Sequence, residues 1–370
     1  MADSDAARKA VTGEIWDEFC DTLKEAGKVV LRPEVPTDAF NRAIGYRFLS
    51  RLLRGGLESA LDYAHPQYPA FFRLADDTKH LLNDNPDNYY QNCVIDGRFD
   101  YRITGTRGTV NWFSIGSKGQ SLDIEKMLDT GYIDSTQMEF RPDGSFEIIA
   151  SAEKKPGNWL PLARNSSSLV VRQTFANRKK EKIAELNIEC VNPEASDNNQ
   201  SPERIMAGLM NAARFVKNIG NMTIEWQERY KKLHLNLLPE DDQKRCQDAG
   251  GDANIHYYQS YWKLAPDEAL YVHIKNIPEC QTWNLQVSDY WMESLDFRFF
   301  RVSVNKFTAH YEPDGSVKIV IAHQDPGPKY PNWLTTLGHD QGGMLGRLVG
   351  AKTFLPEFPA KVVKLAELRG

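Results

Sequence analysis

The sequence lacks the features that mark an exported, disulfide-bonded or membrane-spanning protein. Its first residues, Met1–Asp5, are acidic and polar, without a basic segment followed by an apolar run. No later apolar run approaches the roughly 20 residues that cross a bilayer. The five cysteines are odd in number and include no Cys-x-x-Cys pair. We therefore expect a cytoplasmic protein with reduced thiols and no membrane partner.

Sequence motifs for metals, nucleotides and nucleophilic catalysis are also missing. The eight histidines form no His-x-His or His-Glu-x-x-His spacing, and neither Gly-x-Ser-x-Gly nor Gly-x-x-x-x-Gly-Lys occurs. We therefore predict neither a metal nor a cofactor. The net charge of -5 argues against a strongly basic surface, so nucleic acid is not an expected partner.

What the chain does contain is an internal repeat. Short sequence motifs, which we call words, recur in the same order. The number of residues between the two copies of a word changes only by small insertions. The matching pairs are Tyr-Tyr-Gln at 89–91 and 257–259, Trp112 and Trp283, Pro-Asp-Gly-Ser at 142–145 and 313–316, Asn-Trp-Leu at 158–160 and 332–334, and Arg172 and Arg347. Collinear matches that include tryptophan indicate a duplication rather than chance.

The residues around these words predict the secondary structure. Each Pro-Asp-Gly-Ser word suits a tight turn, and the runs that follow it, 146–150 and 317–321, alternate like strands with one apolar face. Thr37-Asp38 is expected to cap a helix. After a polar loop at 191–200, Ser201-Pro202 is expected to begin a long helix that could pair with another.

These patterns predict an α+β chain that is mainly β, with two duplicated β-sandwich units, an N-terminal helical cap and a helical connector. The expected segments are an N-terminal helical region at 1–87, a first β unit at 88–190, a helical connector at 191–255, a second β unit at 256–355 and a C-terminal tail at 356–370.

The repeated words also resemble a known family. Residues 141–145, 158–161 and 169–172, together with Trp-Phe-Ser-Ile at 112–115, resemble the bacterial family called domain of unknown function twelve-fourteen. The match is looser in the second copy, where Met-Leu-Gly precedes Arg347. The resemblance implies tandem β-sandwiches of jelly-roll type and implies no reaction. The chain is expected to differ from the family's common form by having no secretory signal.

Candidate catalytic residues are sought where the second copy departs from the first. His323 continues the apolar face of the strand at 317–321, where the first copy has Ala152. Asp325 lies two residues further on and could orient the imidazole for acid–base chemistry. The alternatives are a solvated histidine at a strand end and an aspartate that belongs to the following Pro-Gly turn.

A second group of candidates lies on a predicted strand at 269–277. Tyr271 and His273 alternate with apolar residues and so share a polar face. Such a row suits either an active site or solvent. Together with His323 and Asp325, these two residues are the proposed acid–base set.

The candidate ligand-binding residues are arginines and aromatics. Arg172 and Arg347 close the two repeats, and an inward-pointing arginine needs a carboxylate partner, from the protein or from a ligand. Tyr101 stands between Asp100 and Arg102. Trp291 belongs to an aromatic and charged stretch that suits a sugar or a flat ligand, or fills a core.

Two function classes therefore stay open. The first is a cofactor-independent enzyme of the lyase, isomerase or hydrolase type that acts on a small organic molecule. The second is a noncatalytic protein that binds a small molecule or a carbohydrate. A third use of the chain, assembly through the long helix after Ser201, leaves a homo-oligomer open.

Overall fold

The computed structural model describes residues 4–120, 127–193 and 200–369. Residues 194–199 of the predicted polar loop lie outside the described residues. The chain forms two compact units. The first unit consists of residues 1–79, 89–175 and 180–221, and the second of residues 80–88, 176–179 and 222–370. Two short segments that flank the first repeat, 80–88 and 176–179, therefore belong to the unit of the second repeat.

The helices precede, separate and follow the strands of the two repeats. The α-helices are α1 (Asp5–Thr12), α2 (Glu14–Gly27), α3 (Ala39–Leu57), α4 (Pro202–Leu233), α5 (Gln243–Asp248) and α6 (Leu365–Arg369), with a 3-10 helix at Lys28–Leu31 and a π-helix at Glu58–Asp62.

Among the described residues, eight strands lie in each repeat. Those of the first are β1 (Asn88–Val94), β2 (Tyr101–Thr106), β3 (Trp112–Gln120), β4 (Met127–Asp134), β5 (Ser145–Ser151), β6 (Asn158–Pro161), β7 (Ser166–Thr174) and β8 (Glu185–Cys190). Those of the second are β9 (Ile255–Lys263), β10 (Glu268–Ile274), β11 (Thr282–Val287), β12 (Ser303–Asn305), β13 (Val317–Ala322), β14 (Trp333–Thr335), β15 (Gln341–Val349) and β16 (Ala360–Lys364).

The two repeats have the same sheet topology. In the first, the sheets are ordered β1-β7-β3-β4 and β6-β5-β2-β8, and in the second β9-β15-β11-β12 and β14-β13-β10-β16. Each strand thus has a counterpart at the same place in the other repeat, down to the parallel pairs β5–β6 and β13–β14. The duplication is confirmed, and the chain is mainly β with sandwich-like units.

The strand register corrects one of the matched pairs. Trp112 pairs with Thr174, two residues beyond Arg172, whereas Trp283 pairs with Leu348, one residue beyond Arg347. When the two arginines are aligned, the counterpart of Trp283 is therefore Phe113. Phe113 and Trp283 both lie in the apolar core of their own unit, which explains why an aromatic side chain occupies that position.

The predicted helix starts are correct, because each depends on a local hydrogen bond. The Asp38 side chain accepts from the backbone N–H of Asn41, and α4 begins at Pro202 with the Ser201 hydroxyl accepting from the N–H of Arg204. The segment 356–370, predicted as a C-terminal tail outside the β units, contains regular secondary structure. Its residues 360–364 form β16, which pairs antiparallel with β10, and α6 follows.

Each unit has its own apolar core between its two sheets. In the first unit Ile103, Ile115 and Ile148 are completely buried, and in the second Leu285 and Ile319 are completely buried. These residues alternate with outward-facing ones along their strands, as expected for a strand with one face in a core. Among the described residues, no helix has the length and apolar character needed to span a membrane.

The close packing of the second unit leaves no room for a side chain at one of its glycines. A Cβ at Gly342 of β15 would lie 2.3 Å from the backbone oxygen of Ser288. We expect Gly342→Ala to lower the free energy of unfolding by about 1–3 kcal/mol, because the overpacked backbone must shift. The measurement is urea unfolding followed by tryptophan fluorescence.

Gly116→Ala is the matched control, since Gly116 is also a strand glycine but its added Cβ would be no closer than 3.8 Å to another atom. Equal losses of stability in the two variants would contradict the packing argument.

Candidate functional site

One sheet of the second unit is buried on both faces. Nearly every residue of β9, β11 and β15 is buried. One face belongs to the apolar core, whereas the other carries a row of polar side chains. The strand register aligns this row as Asn305, Asn284, Arg347 and Tyr257 across the four strands. We call it the polar row.

Arg347 is the charged member of the polar row, and it is only 4% exposed. Its guanidinium donates to the side-chain oxygen of Gln286 at 2.5 Å, to that of Asn284 at 3.4 Å and to the backbone oxygen of Asn83 at 2.5 Å. The side chain of Arg347 therefore points into the unit, where it has hydrogen-bond partners. These three acceptors are neutral, so amide dipoles supply much of the solvation that burial removes.

The segment 80–88 is fixed to the sheet through the polar row. Asn284 donates from its amide to Asn85 Oδ1 at 2.6 Å and to Asp87 Oδ2 at 3.1 Å. Asn305 donates to Asp87 Oδ1 at 2.9 Å. Gln286 donates to the backbone oxygen of Asp84 at 3.0 Å. Residues 80–87, which have no regular secondary structure, thus have defined hydrogen-bond partners.

Asp87 is the carboxylate that faces these amides. Burial of the carboxyl group raises the pKa of Asp87, although the residue as a whole is only partly buried. Hydrogen bonds from Asn305 and Asn284 and the charges of Arg178 and Arg347 act in the opposite direction. Sequence patterns did not identify Asp87, because its partners come from two strands that follow it by about two hundred residues.

A second buried cluster joins His80, Asp84 and Ser294. His80 Nδ1 lies 2.8 Å from Asp84 Oδ2 and 3.0 Å from Ser294 Oγ, and the serine hydroxyl also donates to Asp84 Oδ2 at 2.8 Å. In a nucleophilic triad the serine and the carboxylate occupy different nitrogens of the imidazole. Here both contact Nδ1, so the arrangement fixes the segment 80–88 rather than activating a nucleophile.

The first unit has a counterpart of the polar row. Arg172 pairs across the strands with Ser114, which in turn pairs with Asp134. Arg172 is 8% exposed and Asp134 is 7% exposed. Both repeats therefore keep a buried arginine at the same position of the same sheet. An acid stands at the end of the row in the first repeat where Asn305 stands in the second.

His323 and Asp325 both have hydrogen-bond partners within the second unit. His323 Nδ1 lies 2.7 Å from Thr336 Oγ1, and its Nε2 lies 3.3 Å from the backbone oxygen of Leu264. Asp325 is exposed and accepts from the N–H of Gly327 at 2.7 Å. The imidazole therefore bridges two loops, and the aspartate belongs to the following turn.

Tyr271 and His273 lie on the outer face of their sheet. Tyr271 pairs with Val320 and His273 with Lys318, whereas the row that ends at His323 points toward the core. His273 Nε2 lies 3.0 Å from Ser316 Oγ, and burial lowers the pKa of this histidine, helped by Lys275 and Lys318. Burial raises the pKa of Tyr271. The structure does not bring these two residues together with His323 and Asp325.

Tyr101 and Trp291 are both completely buried. The hydroxyl of Tyr101 accepts from the N–H of Asp96 at 2.8 Å, and its ring lies in the core of the first unit. Trp291 is held by its N–H, which donates to Asp289 Oδ1 at 2.9 Å. In the described ranges no three histidine, cysteine, aspartate or glutamate side chains are grouped so that they could hold a metal ion.

A pocket of about 550 Å³ lies in the first unit, where α3 passes into the π-helix and faces the loop 71–79. Its walls combine three kinds of side chain. The cations are Arg54, Arg73 and Lys79, the acids are Glu58, Asp62 and Asp76, and the aromatics are Tyr63, Phe71 and Phe72.

Local packing shapes this pocket. The π-helix ends where the N–H of Tyr63 donates to the oxygen of Glu58 at 2.9 Å. A Cβ at Gly208 of α4 would lie 2.6 Å from the backbone oxygen of Ala60. The π-helix therefore packs directly against the backbone of α4 at this glycine. The loop is tied to β1 by reciprocal backbone hydrogen bonds between Phe72 and Asn92, at 2.9 and 2.7 Å.

Four of the charged side chains form one ion-pair network. Lys79, whose side chain is 2% exposed, contacts Glu58 and lies 3.4 Å from Asp76. Arg54 lies 3.3 Å from Glu58 and 3.4 Å from Asp76. Burial opposes the ionisation of Asp76, but hydrogen bonds from Thr78 and the N–H of Lys79, with the Lys79 charge, lower its pKa to about 2.

The sequence alone did not identify this pocket. The stretch from Arg54 to Asp62 reads as the end of an arginine-rich helix, which usually faces solvent. The nearest available indication is the density of charged and aromatic residues in 71–79. That pattern does not say which of them meet the helix.

The contacts of Arg347 lead to a stability prediction. Arg347→Met keeps the apolar stem of the side chain but leaves the oxygens of Gln286 and Asn83 without this donor. We expect the free energy of unfolding to fall by about 3 kcal/mol. Arg298→Met is the control, because Arg298 forms an exposed pair with Asp296, which is worth about 0–1 kcal/mol. Urea unfolding at neutral pH measures both, and a smaller effect at Arg347 would be inconsistent with the network.

The low pKa of Asp76 predicts a pH dependence. Its value of about 2 lies below the ordinary 3.8, so ionisation favours the folded state. The resulting stabilisation is complete above about pH 4 and is lost as the pH falls toward 2. The stability difference between the wild type and Asp76→Asn should therefore shrink between pH 5 and pH 3 in urea titrations. The exposed Asp21→Asn is the control, and a difference that stays constant for Asp76→Asn would argue against the network.

Comparison with known proteins agrees with the repeats. The family described as "Protein of unknown function (DUF1214)" matches residues 84–175 and 263–353. The crystal structure of an uncharacterized protein from Burkholderia cenocepacia is 43% identical, with a TM-score of 0.92, and the match covers 97% of this chain and 99% of that chain. A structure from Vibrio parahaemolyticus is 14% identical, with a TM-score of 0.48, and covers 86% of this chain and 98% of that chain.

No curated protein gives a significant match. The two segments that the family model matches overlap the two β units predicted at 88–190 and 256–355, so the resemblance noted from the repeated words is confirmed. Because both repeats match one family, and a relative of 43% identity shares almost the whole chain, this protein belongs to the DUF1214 family.

Proposed function

We propose that this protein binds a small organic molecule in the pocket of the first unit without converting it chemically. The observation that carries the proposal is the composition of the pocket wall, which combines aromatic rings with charged groups already held in place. A volume of about 550 Å³ falls within the range of small-ligand pockets. The binding alternative is favoured over catalysis because the four predicted acid–base residues do not converge.

The aromatic wall supports binding by stacking. The rings of Tyr63 and Phe72 are stacked on each other, with centroids 5.0 Å apart and planes at 20°. Phe72 is 7% exposed, so its ring lies mostly beneath that of Tyr63, which remains partly accessible. A flat or apolar part of a ligand can pack against these rings. Because the two rings already hold each other in place, binding does not have to order a flexible side chain of the protein.

An acid–base enzyme stays a second proposal. The observation in its favour is that Asp62 lies on a π-helix and lines the pocket, and π-helical turns are frequent at functional sites. A carboxylate beside a bound molecule could accept a proton. The test is whether the protein converts a bound compound. If Asp62→Asn abolishes the conversion and His323→Gln does not, the catalytic residue is in this pocket and is not His323.

The remaining expectations are also proposals. A jelly-roll description is supported by the eight strands in two four-stranded sheets that the structure describes in each repeat, although the pairs β5–β6 and β13–β14 are parallel. A cytoplasmic location is supported by five cysteines that are all free thiols. The absence of nucleic-acid and membrane partners and the oligomeric state are testable by gel filtration and cell fractionation.

The test of binding is a fragment panel that contains neutral, anionic, cationic and zwitterionic aromatics, measured by protein-observed NMR on the full chain. Tyr63→Ala should weaken the binding of pocket ligands by about tenfold, because it removes a stacking surface. The matched control is Tyr46→Ala, which removes a 52% exposed tyrosine of α3 that does not line the pocket.

His323→Gln is a second control and should leave binding unchanged. The proposal fails if no compound of any charge class binds, or if Tyr46→Ala weakens binding as much as Tyr63→Ala does.

A further inference from the structure

Two of the six charged side chains that line the pocket of the first unit remain available to a ligand. Glu58, Asp76, Lys79 and Arg54 neutralise one another in the ion-pair network. Arg73 and Asp62 do not belong to that network. They have opposite charges and line the same pocket.

Arg73 is held in place but keeps free donors. Its guanidinium carbon lies 4.0 Å from the centre of the Tyr89 ring, and its Nη2 lies 3.3 Å from Asp77 Oδ1. In the described part of the chain, no side chain or backbone oxygen accepts from its Nη1. Stacking on a ring fixes the plane of a guanidinium while its edge remains free to donate to a carboxylate.

Asp62 provides the opposite charge. It is exposed on the π-helix, and none of the described residues forms a hydrogen bond or an ion pair with its carboxylate. A carboxylate in this state can accept from an ammonium group without first breaking an internal pair. The stacked rings of Tyr63 and Phe72 form the apolar wall of the same pocket.

We infer that the pocket takes a small zwitterion with an apolar side group, whose carboxylate is bound by Arg73 and whose ammonium is bound by Asp62. The inference rests on the proposed binding function. It adds the chemical class of the ligand, an amino-acid-like molecule. A ligand with only one of the two charges would bind to one of these two side chains and leave the other without a ligand partner.

The test uses four probes of similar size on the full chain: L-phenylalanine, 3-phenylpropionate, phenethylamine and benzyl alcohol. Isothermal titration calorimetry, supported by NMR, should show the tightest binding for L-phenylalanine. Arg73→Gln should weaken L-phenylalanine and 3-phenylpropionate by about tenfold and leave phenethylamine unchanged. Asp62→Asn should weaken L-phenylalanine and phenethylamine and leave 3-phenylpropionate unchanged.

Matched controls are available in the first unit. Arg98 also pairs with an aspartate, at 2.7 Å from Asp96, and also lies over an aromatic ring, that of Phe99, but it does not line the pocket. Arg98→Gln and the exposed Asp21→Asn should therefore leave the affinities of all four probes unchanged. Thermal unfolding of every variant identifies any that has lost its fold, and Arg73→Lys then tests the charge with less change in shape.

The possible failures are distinct. If benzyl alcohol or a singly charged probe binds as tightly as L-phenylalanine, the zwitterion inference is wrong and the binding function stands. If the two variants weaken all charged probes equally, the assignment of one charge to each residue is wrong. If none of the four probes binds up to millimolar concentration, the zwitterion inference is overturned, and the wider fragment panel decides the binding function separately.

Discussion

The burial of a guanidinium inside a sheet is the constraint on which the second unit depends. Arg347 lies on a sheet that is covered on both faces, so its charge has little access to water and must be solvated by protein oxygens. Gln286, Asn284 and the backbone of Asn83 provide those oxygens. The polar row is therefore a consequence of the arginine. Because its amides also bind Asn85 and Asp87, the same requirement fixes the segment 80–88.

The first unit keeps the equivalent arginine and uses its polar groups differently. Arg172 shares its row with Ser114 and Asp134, so an acid is built into the sheet there. The pocket of this unit lies elsewhere, between α3, the π-helix and the loop 71–79. Around this pocket, charged side chains pair with one another and with a buried lysine, whereas Arg73 and Asp62 lie outside that network. Duplication thus supplied the scaffold, whereas the proposed binding site comes from the helical region that precedes it.

Much of the architecture could be predicted because its causes are local. The turn words, the alternating strands and the caps at Asp38 and Ser201 each involve neighbouring residues, and all of them are present in the structure. The alignment of Trp112 with Trp283 is wrong by one residue. The core requires an aromatic side chain at this position, and either phenylalanine or tryptophan can supply it. The expected tail is wrong because β16 forms by pairing with β10, a strand about ninety residues earlier in the chain.

The sequence by itself determined the duplication, the mainly β class and the absence of a known catalytic motif, since these follow from residue order and short-range periodicity. Only the tertiary structure decided where the chemistry could be. It gave His323 two hydrogen-bond partners on other loops, separated it from Tyr271, and joined Asn85 to Asn284 across 199 residues. Hydrogen bonds between distant segments depend on how sheets and helices pack, and no local pattern in the chain records that packing.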